Sequence, residues 1–497
     1  MSAPSLLDKA KFYAIAGAGF FADGYLNLSI STVLKILGYI YFQDQGGVLS
    51  PAQSGAITAS VSVGVIIGTI LFGFFGDAFG RHSVYGRELI LTIIGDLMSV
   101  LLPWKGFSKQ SIVAWMAVSR VFVGFGTGGD SPISAALSAE KAGSKGHTTL
   151  FLSIFFLNAM GNVAASLMLV ILLAGFKEHI QRDNLYFEWV WRLLLGFGLI
   201  PLLLTVYGRF TMKESIPYEK YVQNSGNPTL RKRTVHDQWR DFTEYFSDWK
   251  HARAFIALFI INFLYNFASH GISLNQALVL SKIGFGTGST TYESMWHTAV
   301  GNVIIFCAGY LPGFILSCHI LPFFLPRKVQ LGVGVLLVVL TYVSWAASEG
   351  HIPPGVSLFF VAFSQFLFHA GPVIIAYIPV ELFPTRVRAT ATGIAAIGGS
   401  IASILISYAF GTLLDSLGIS RVLALSAGLF AIAIPLLFWI PETKGCFVEE
   451  IESDIFYKDP QWKKNRDLGN IIEQSTVEDA RVESLTAKGA SSTSDGQ

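Results

Sequence analysis

Arg120-Val-Phe-Val-Gly-Phe-Gly-Thr-Gly-Gly-Asp130-Ser-Pro-Ile-Ser-Ala-Ala-Leu-Ser-Ala-Glu140 is the stretch on which the reading of this chain turns. Glycines 124, 126 and 129 spell G-x-G-x-x-G, which between a strand and a helix would cradle a dinucleotide. Here they lie inside a mostly apolar run over 110–138, so the setting is one helix, and small residues in it serve close approach to a neighbouring helix. Arg120, Asp130 and the helix-distorting Pro132 then need explaining, because an ionisable residue at membrane depth points to function.

Composition sets the same frame for the rest of the chain. Of 497 residues, 52% are hydrophobic and only 14% charged, and the mean hydropathy is +0.53, which describes a polytopic membrane protein. The net charge is +2 and the Lys/Arg clusters lie between apolar runs, so no basic face is offered to nucleic acid. Cys307, Cys318 and Cys446 have neither metal-like nor disulfide-framework spacing, and neither metal nor cofactor is expected. The first apolar segment contains Asp23 and Lys35 and runs too long for a signal-peptide core.

Twelve segments long enough to cross a bilayer can be drawn, at about 13–40, 52–76, 84–103, 110–138, 147–175, 188–210, 252–282, 293–324, 329–348, 355–380, 389–414 and 420–440. The reading is therefore an all-α membrane protein: an N-terminal half over 1–210, a polar cytoplasmic linker over 211–251, a second six-helix half over 252–445 and a polar, disordered tail over 446–497. Short loops on one side carry Arg81, Arg87, Lys141, Lys145, Arg327, Lys328, Arg386 and Arg388, which places both termini in the cytoplasm. Arg81 and Arg327, Glu140 and Glu381, and Glu214 and Glu442 recur at matched places in the two halves, the mark of an internal duplication. Paired halves around a midplane site are the architecture of alternating-access carriers.

Gly73-Phe-Phe-Gly-Asp77-Ala-Phe-Gly80-Arg81 resembles the loop-2/3 signature of the major facilitator superfamily. Glu381-Leu-Phe-Pro-Thr-Arg386-Val-Arg388 and Pro441-Glu-Thr-Lys-Gly445 resemble its sugar-porter motifs. The resemblance implies that Asp77, Arg81, Glu140, Arg192, Glu214, Glu381, Arg386 and Glu442 form a cytoplasmic gate that latches the halves; ordinary topology-fixing charge is the plainer alternative. Gly128-Gly-Asp130-Ser-Pro132-Ile-Ser-Ala is similar to the GGDYPLSA box of the phosphate:proton symporter family. Asn262-Phe-Leu-Tyr-Asn266-Phe-Ala-Ser-His270-Gly-Ile-Ser-Leu-Asn-Gln276 resembles that family's seventh span. Tyr292-Glu-Ser-Met-Trp296 and Gly301 to Gly313 extend the likeness into the eighth. The chain departs from that family by Ser131 for Tyr, by Asn262, Asn266 and His270 for Trp, Asp and Tyr, and by Ser400 for Lys. Phe21-Ala-Asp23-Gly-Tyr25-Leu-Asn27-Leu resembles the first span of fungal glycerophosphoinositol and glycerophosphocholine permeases. The resemblance thus implies proton-coupled uptake of a glycerophosphodiester at the plasma membrane by a monomer, with inorganic phosphate as the alternative and a sugar or polyol after it.

A carboxyl group buried in low dielectric disfavours its charged form, so it can load a proton on one side and release it on the other. Asp23 is the first candidate for coupling and Asp130 the second, with Arg120 able to bias either; a static Asp–Arg tie between spans 1 and 4 is the alternative. Asn262, Asn266 and His270, at i, i+4 and i+8, make one polar stripe that lipid would leave unsatisfied, so it should line a cavity. His270, His369 and Lys35 are the candidates to hold a phosphate oxygen, and which of them does so stays open. Ser131 belongs to the expected pocket, and Tyr25, Asn27, Asn158, Gln276 and Tyr377 are further candidates for it, each of these five with an interhelical hydrogen bond as the alternative. No Ser-His-Asp, His-x-x-Glu-His or phosphate-loop pattern supports an enzyme.

Overall fold

The computed structural model describes residues 6–102, 106–141, 147–211, 235–444 and 451, and among these every regular element is helical. Met1–Cys446 forms one unit; of the second, Phe447–Gln497, only Ile451 is described. The long helices are α1 (Leu6–Tyr41), α2 (Pro51–Phe79), α3 (Arg87–Val100), α4 (Lys109–Lys141), α5 (His147–Gly175) and α6 (Phe187–Phe210). After an amphipathic helix, α7 (Val235–Ser247), come α8 (Trp249–Ser273), α9 (Thr291–Ile305), α10 (Arg327–Ser348), α11 (Pro354–Ala370) and α12 (Arg388–Ala431).

Local sequence sets these boundaries. Ser50 and Gln53 close a capping box on α2 with Pro51 at its first position, and the Asp248 carboxylate caps α8 on the Lys250 amide. α12 is two limbs joined at Gly418, whose φ of 77° lies in the left-handed region, so it carries the expected span 389–414 and most of 420–440, which short helical turns continue to Trp439. Among the described residues nine helices are long and apolar enough to cross a membrane, with α12 counted once. The expected first and third spans correspond to α1, made more polar by Asp23, Asn27 and Lys35, and to α3, only 14 residues long. The eighth span is α9 continued through two π-helical turns, Phe306–Tyr310 and Leu316–Ile320, and the tenth passes from α11 through a 3₁₀ turn at Pro372–Ala376.

The glycine run of α4 does what small residues in a helix allow. A Cβ on Gly124 would lie 2.8 Å from the Val61 carbonyl carbon, and one on Gly128 2.6 Å from Val65 Cα, so α2 is pressed against this face. On the other face a Cβ on Gly126 would lie 2.7 Å from the Thr92 amide of α3. The glycines buy backbone-to-backbone contact on both flanks rather than a nucleotide cradle. α1 packs on α5 and α6, α3 on α4 and α6, and α12 on α8 and α10. The most extensive contacts joining the first six helices to the last six are α2 against α12 and α5 against α9. A polar cavity lies in the remaining space between them.

Candidate functional site

Two adjoining lobes of about 250 and about 340 Å³ make up that cavity. Their common walls include Asp23 from α1, Ser131 from α4, Asn158 from α5, and Asn262, Asn266 and His270 from α8. Asp130 lines the smaller lobe, Asn27, Arg120 and Ser400 the larger, and His369 both. Asp23 and Asn27, one turn apart on α1, form one face of the cavity together with α4 and α5. Asn27 Nδ2 donates to Asp23 Oδ1 (2.9 Å), Asn158 Nδ2 to Asp23 Oδ2 (3.1 Å), and Arg120 Nη2 to Asn27 Oδ1 (3.2 Å). Both carboxylate oxygens are thus fixed by neutral amides, while the fully buried guanidinium reaches Asp23 through Asn27.

Asp130 has a different partner from the one its position on α4 suggests. Arg209, from the last turn of α6, binds both its oxygens, Nη1 to Oδ1 (2.7 Å) and Nη2 to Oδ2 (2.9 Å), and Nη1 also holds Glu88 Oε1 of α3 (3.0 Å). Ser134 donates to Asp130 Oδ1 (2.6 Å), and Tyr85 lies under the Arg209 guanidinium at 4.7 Å. Arg120 and Asp130 are ten apart on α4, nearly three turns, so Arg120 faces Asn27 and Asp130 faces Arg209. Glu88 and Arg209 were not among the expected site residues; as charges near the ends of apolar runs they look like topology markers in the sequence.

The opposite wall is histidine, amide and aromatic. His270 Nδ1 meets Ser403 Oγ at 2.6 Å, and that hydroxyl in turn donates to the Gly399 carbonyl (2.9 Å). His369 Nδ1 meets the Gln365 carbonyl at 2.7 Å, and its ring lies 4.0 Å from Tyr310 and 4.8 Å from Phe314. The π-helical turns of the eighth span bring those two aromatics onto one histidine. Asn262 and Asn266 each tie an amide hydrogen to the carbonyl four residues back, Leu258 (3.1 Å) and Asn262 (2.8 Å), leaving their carbonyl oxygens for other partners.

Four expected pocket residues lie elsewhere. Tyr25, two positions from Asp23, falls on the far face of α1 and packs toward Gly198 of α6. Gln276, beyond the end of α8, is buried and bonds Asn302 Oδ1 at 3.0 Å. Tyr377 is buried in the turn after the 3₁₀ segment, 6.0 Å below the Arg327 guanidinium. Lys35, three turns along α1 from Asp23, donates to Thr298 Oγ1 (2.8 Å), Ser294 Oγ (3.0 Å) and the Gly286 carbonyl (3.3 Å), and so ties α1 to α9 at one end of the cavity.

Most of the described residues expected to form a gate lie at the other end of the cavity. Asp77 accepts from the Ala389 (3.2 Å) and Thr390 (2.7 Å) amides and from Thr390 Oγ1 (2.7 Å), so its charge sits on the N-terminus of α12. Arg81 pairs with Asp77 (3.1 Å) and donates to the Thr385 carbonyl (3.0 Å). Glu381 pairs with Arg327 (3.2 Å), and Glu442 caps the Arg327 amide (2.9 Å), while Arg386 lies over the Tyr245 ring at 5.6 Å. Arg192 does not belong to this gate. It is held by Glu188 (2.9 Å) and by the Val100 and Leu102 carbonyls (2.5 and 2.7 Å), at the Lys35 end, because α6 starts there. Glu140 lies within α4, its side chain outside the described residues, as is Glu214.

The model of the family described as "Sugar (and other) transporter" matches residues 12–455. A Schizosaccharomyces pombe protein named as a candidate inorganic phosphate transporter is 30% identical over 91% of each chain. The inorganic phosphate transporter PHO84 of Saccharomyces cerevisiae is 28% identical over 94% of this chain and 88% of its own. Among solved structures, the major facilitator superfamily proton:xylose symporter XylE overlays with a TM-score of 0.67 at 20% identity, covering 90% of this chain and 98% of that one. That likeness establishes the major facilitator fold, and the chain is a membrane transporter rather than an enzyme.

Proposed function

The chain belongs to the sugar (and other) transporter family, and from that premise we propose that it carries a phosphate-bearing anion together with protons. The named relatives support inorganic phosphate as the substrate. The observation that carries the coupling is the state of the two cavity histidines. His369 Nδ1 faces a carbonyl and His270 Nδ1 a hydroxyl already committed as a donor, so each Nδ1 must bear the hydrogen and donate it. In the neutral ring Nε2 then has only a lone pair. It becomes a donor to an anionic oxygen when the ring is protonated, and such a bond is charge-assisted. Anion binding therefore takes up a proton at this wall, while Asp23, held by two amides, takes one at the other.

Energetics point the same way. Moving one anionic charge against an inside-negative potential costs about 2.3 kcal/mol per 100 mV, and each co-transported proton cancels one charge. We place both termini in the cytoplasm of a plasma-membrane carrier that works as a monomer, with halves over 1–210 and 252–445 joined by 211–251 and rocking about the cavity. The Lys35 contacts are then the outer latch and the Asp77 and Arg81 contacts the inner one.

A glycerophosphodiester is the second reading, and a specific observation favours it. Ser131, Asn262, Asn266 and Ser400 all line the cavity, at the positions where the chain departs from the phosphate carriers. The smaller lobe alone, about 250 Å³, holds roughly eight waters at ~30 Å³ each, more than the five heavy atoms of phosphate need. A sugar or polyol comes third. Purified protein in liposomes with an inward proton gradient discriminates among them. Accumulation of labelled phosphate supports the first reading. Glycerophosphoinositol or glycerophosphocholine uptake that modest phosphate does not compete supports the second, and gradient-driven xylose uptake with neither would overturn both.

A further inference from the structure

Behind the Asp23 face of the cavity lies a carboxylate that the mechanism above does not use. Asp96, in the middle of α3, is fully buried, and neither of its oxygens has a hydrogen-bond partner. Arg120 is its charged neighbour and also the neighbour of Asp23. That guanidinium spends Nη2 on Asn27, while Nε and Nη1 have no partner. The helices are held together at this point. Ser99 donates to Ser119 (2.9 Å), and a Cβ on Gly95 would lie 2.5 Å from the Val123 amide. Two free guanidinium nitrogens and two free carboxylate oxygens are thus buried where the two helices cross closely. Buried charged groups are ordinarily paired, and leaving one uncompensated is costly, so this set calls for an explanation.

We propose that Arg120 exchanges partners during transport, bound toward Asp23 through Asn27 in the conformation described here and paired with Asp96 in another. The exchange lets Asp23 gain a proton without leaving the guanidinium uncompensated. When Asp23 is ionised, Arg120 is drawn to the cavity. When Asp23 is protonated, its attraction ends and the Asp96 carboxylate takes the charge. No covalent bond changes other than the proton on Asp23. The titratable groups facing Asp96 leave it one ionic partner: α4 offers Arg120, and α1 the Tyr25 hydroxyl, itself unbonded, while the Ser119 hydroxyl is committed to the Met116 carbonyl (2.9 Å). Of the two α6 arginines, Arg192 is held at Val100 and Leu102, and Arg209 at Glu88 and Asp130. Asp96 is in these terms a positioning residue, acting on Asp23 through Arg120.

The inference rests on the proton-coupled reading, and one liposome experiment separates the two. Uptake of labelled inorganic phosphate is measured under inward proton gradients across a range of external pH, alongside phosphate counterflow with no gradient. In Asp96→Asn the whole charge of Arg120 falls on Asp23 and favours its anion, so half-maximal uptake should move about one pH unit to the acid side. Counterflow should persist, and Asp96→Glu should restore the original profile. If Asp96→Asn fails to exchange, Asp96→Ser carries the same comparison with less bulk. A profile that stays in place in an exchanging variant, or an Asp96→Glu profile displaced like that of Asp96→Asn, overturns the inference alone. Wild-type phosphate uptake indifferent to the gradient overturns the coupling reading and the inference with it.

Discussion

Asp23, which we propose takes up a proton during transport, is set apart by what surrounds it. Its two oxygens accept from Asn27 and Asn158, neutral donors that can stay in place whether the carboxyl is charged or not, whereas Asp130 is gripped by Arg209 on both oxygens. We therefore expect Asp23→Asn to abolish gradient-driven accumulation while leaving counterflow, and accumulation equal to wild type would remove Asp23 from the coupling role. Asp130→Asn should instead leave the Arg209 charge buried beside Glu88 alone and lower thermal stability, by about 3–5 kcal/mol if the pair behaves as buried ion pairs do; an unchanged unfolding midpoint in detergent would contradict that. At this scale the sequence exposes Asp23, Arg120 and Asp130 as charges inside apolar runs, but not their pairing. Asp96 is as visible as Asp23 in the sequence. What sets it apart is its lack of partners, which is a property of the packed helices.

The elements follow from the sequence most directly where one residue type does one job. The glycines of α4 meet backbone on two sides, so a side chain at Gly124 must push α2 away at Val61. Gly124→Val should lower the unfolding midpoint by about 1–3 kcal/mol or more of stability, while Gly196→Ala, where nothing lies within 4 Å, should be close to neutral. Equal effects in a thermal scan would refute the packing role. Other features of the elements are not local. The two π-helical turns of the eighth span and the 3₁₀ break at Pro372 put Tyr310, Phe314 and His369 together, and apolar periodicity carries no signal for a one-residue change in helical register. The polar stripe of Asn262, Asn266 and His270 was legible because it needs only i, i+4 spacing.

For the molecule as a whole, contacts joining the first six helices to the last six are made at both ends of the cavity. Lys35 holds Ser294 and Thr298 at one, and Asp77 and Arg81 hold Thr390 and Thr385 at the other. Loosening either should bias the carrier toward opening at that end. With Cys307, Cys318 and Cys446 replaced by Ser and Ser131→Cys introduced in the cavity wall, Lys35→Met and Asp77→Ala should change labelling by a membrane-impermeant thiol reagent in opposite directions. Shifts of the same sign would argue against two opposed latches. The sequence by itself determined the helical membrane architecture, the polar faces of the spans and the charges that had to be explained, since each follows from hydropathy and from the 3.6-residue turn. Only the tertiary structure decided which charge meets which. Arg120 turns to Asn27, Arg209 to Asp130, Arg192 to the far end and Lys35 to Thr298 of α9, because partners are chosen by depth along the helices and by the face each turns to its neighbours, and neither is written in the spacing of one helix alone.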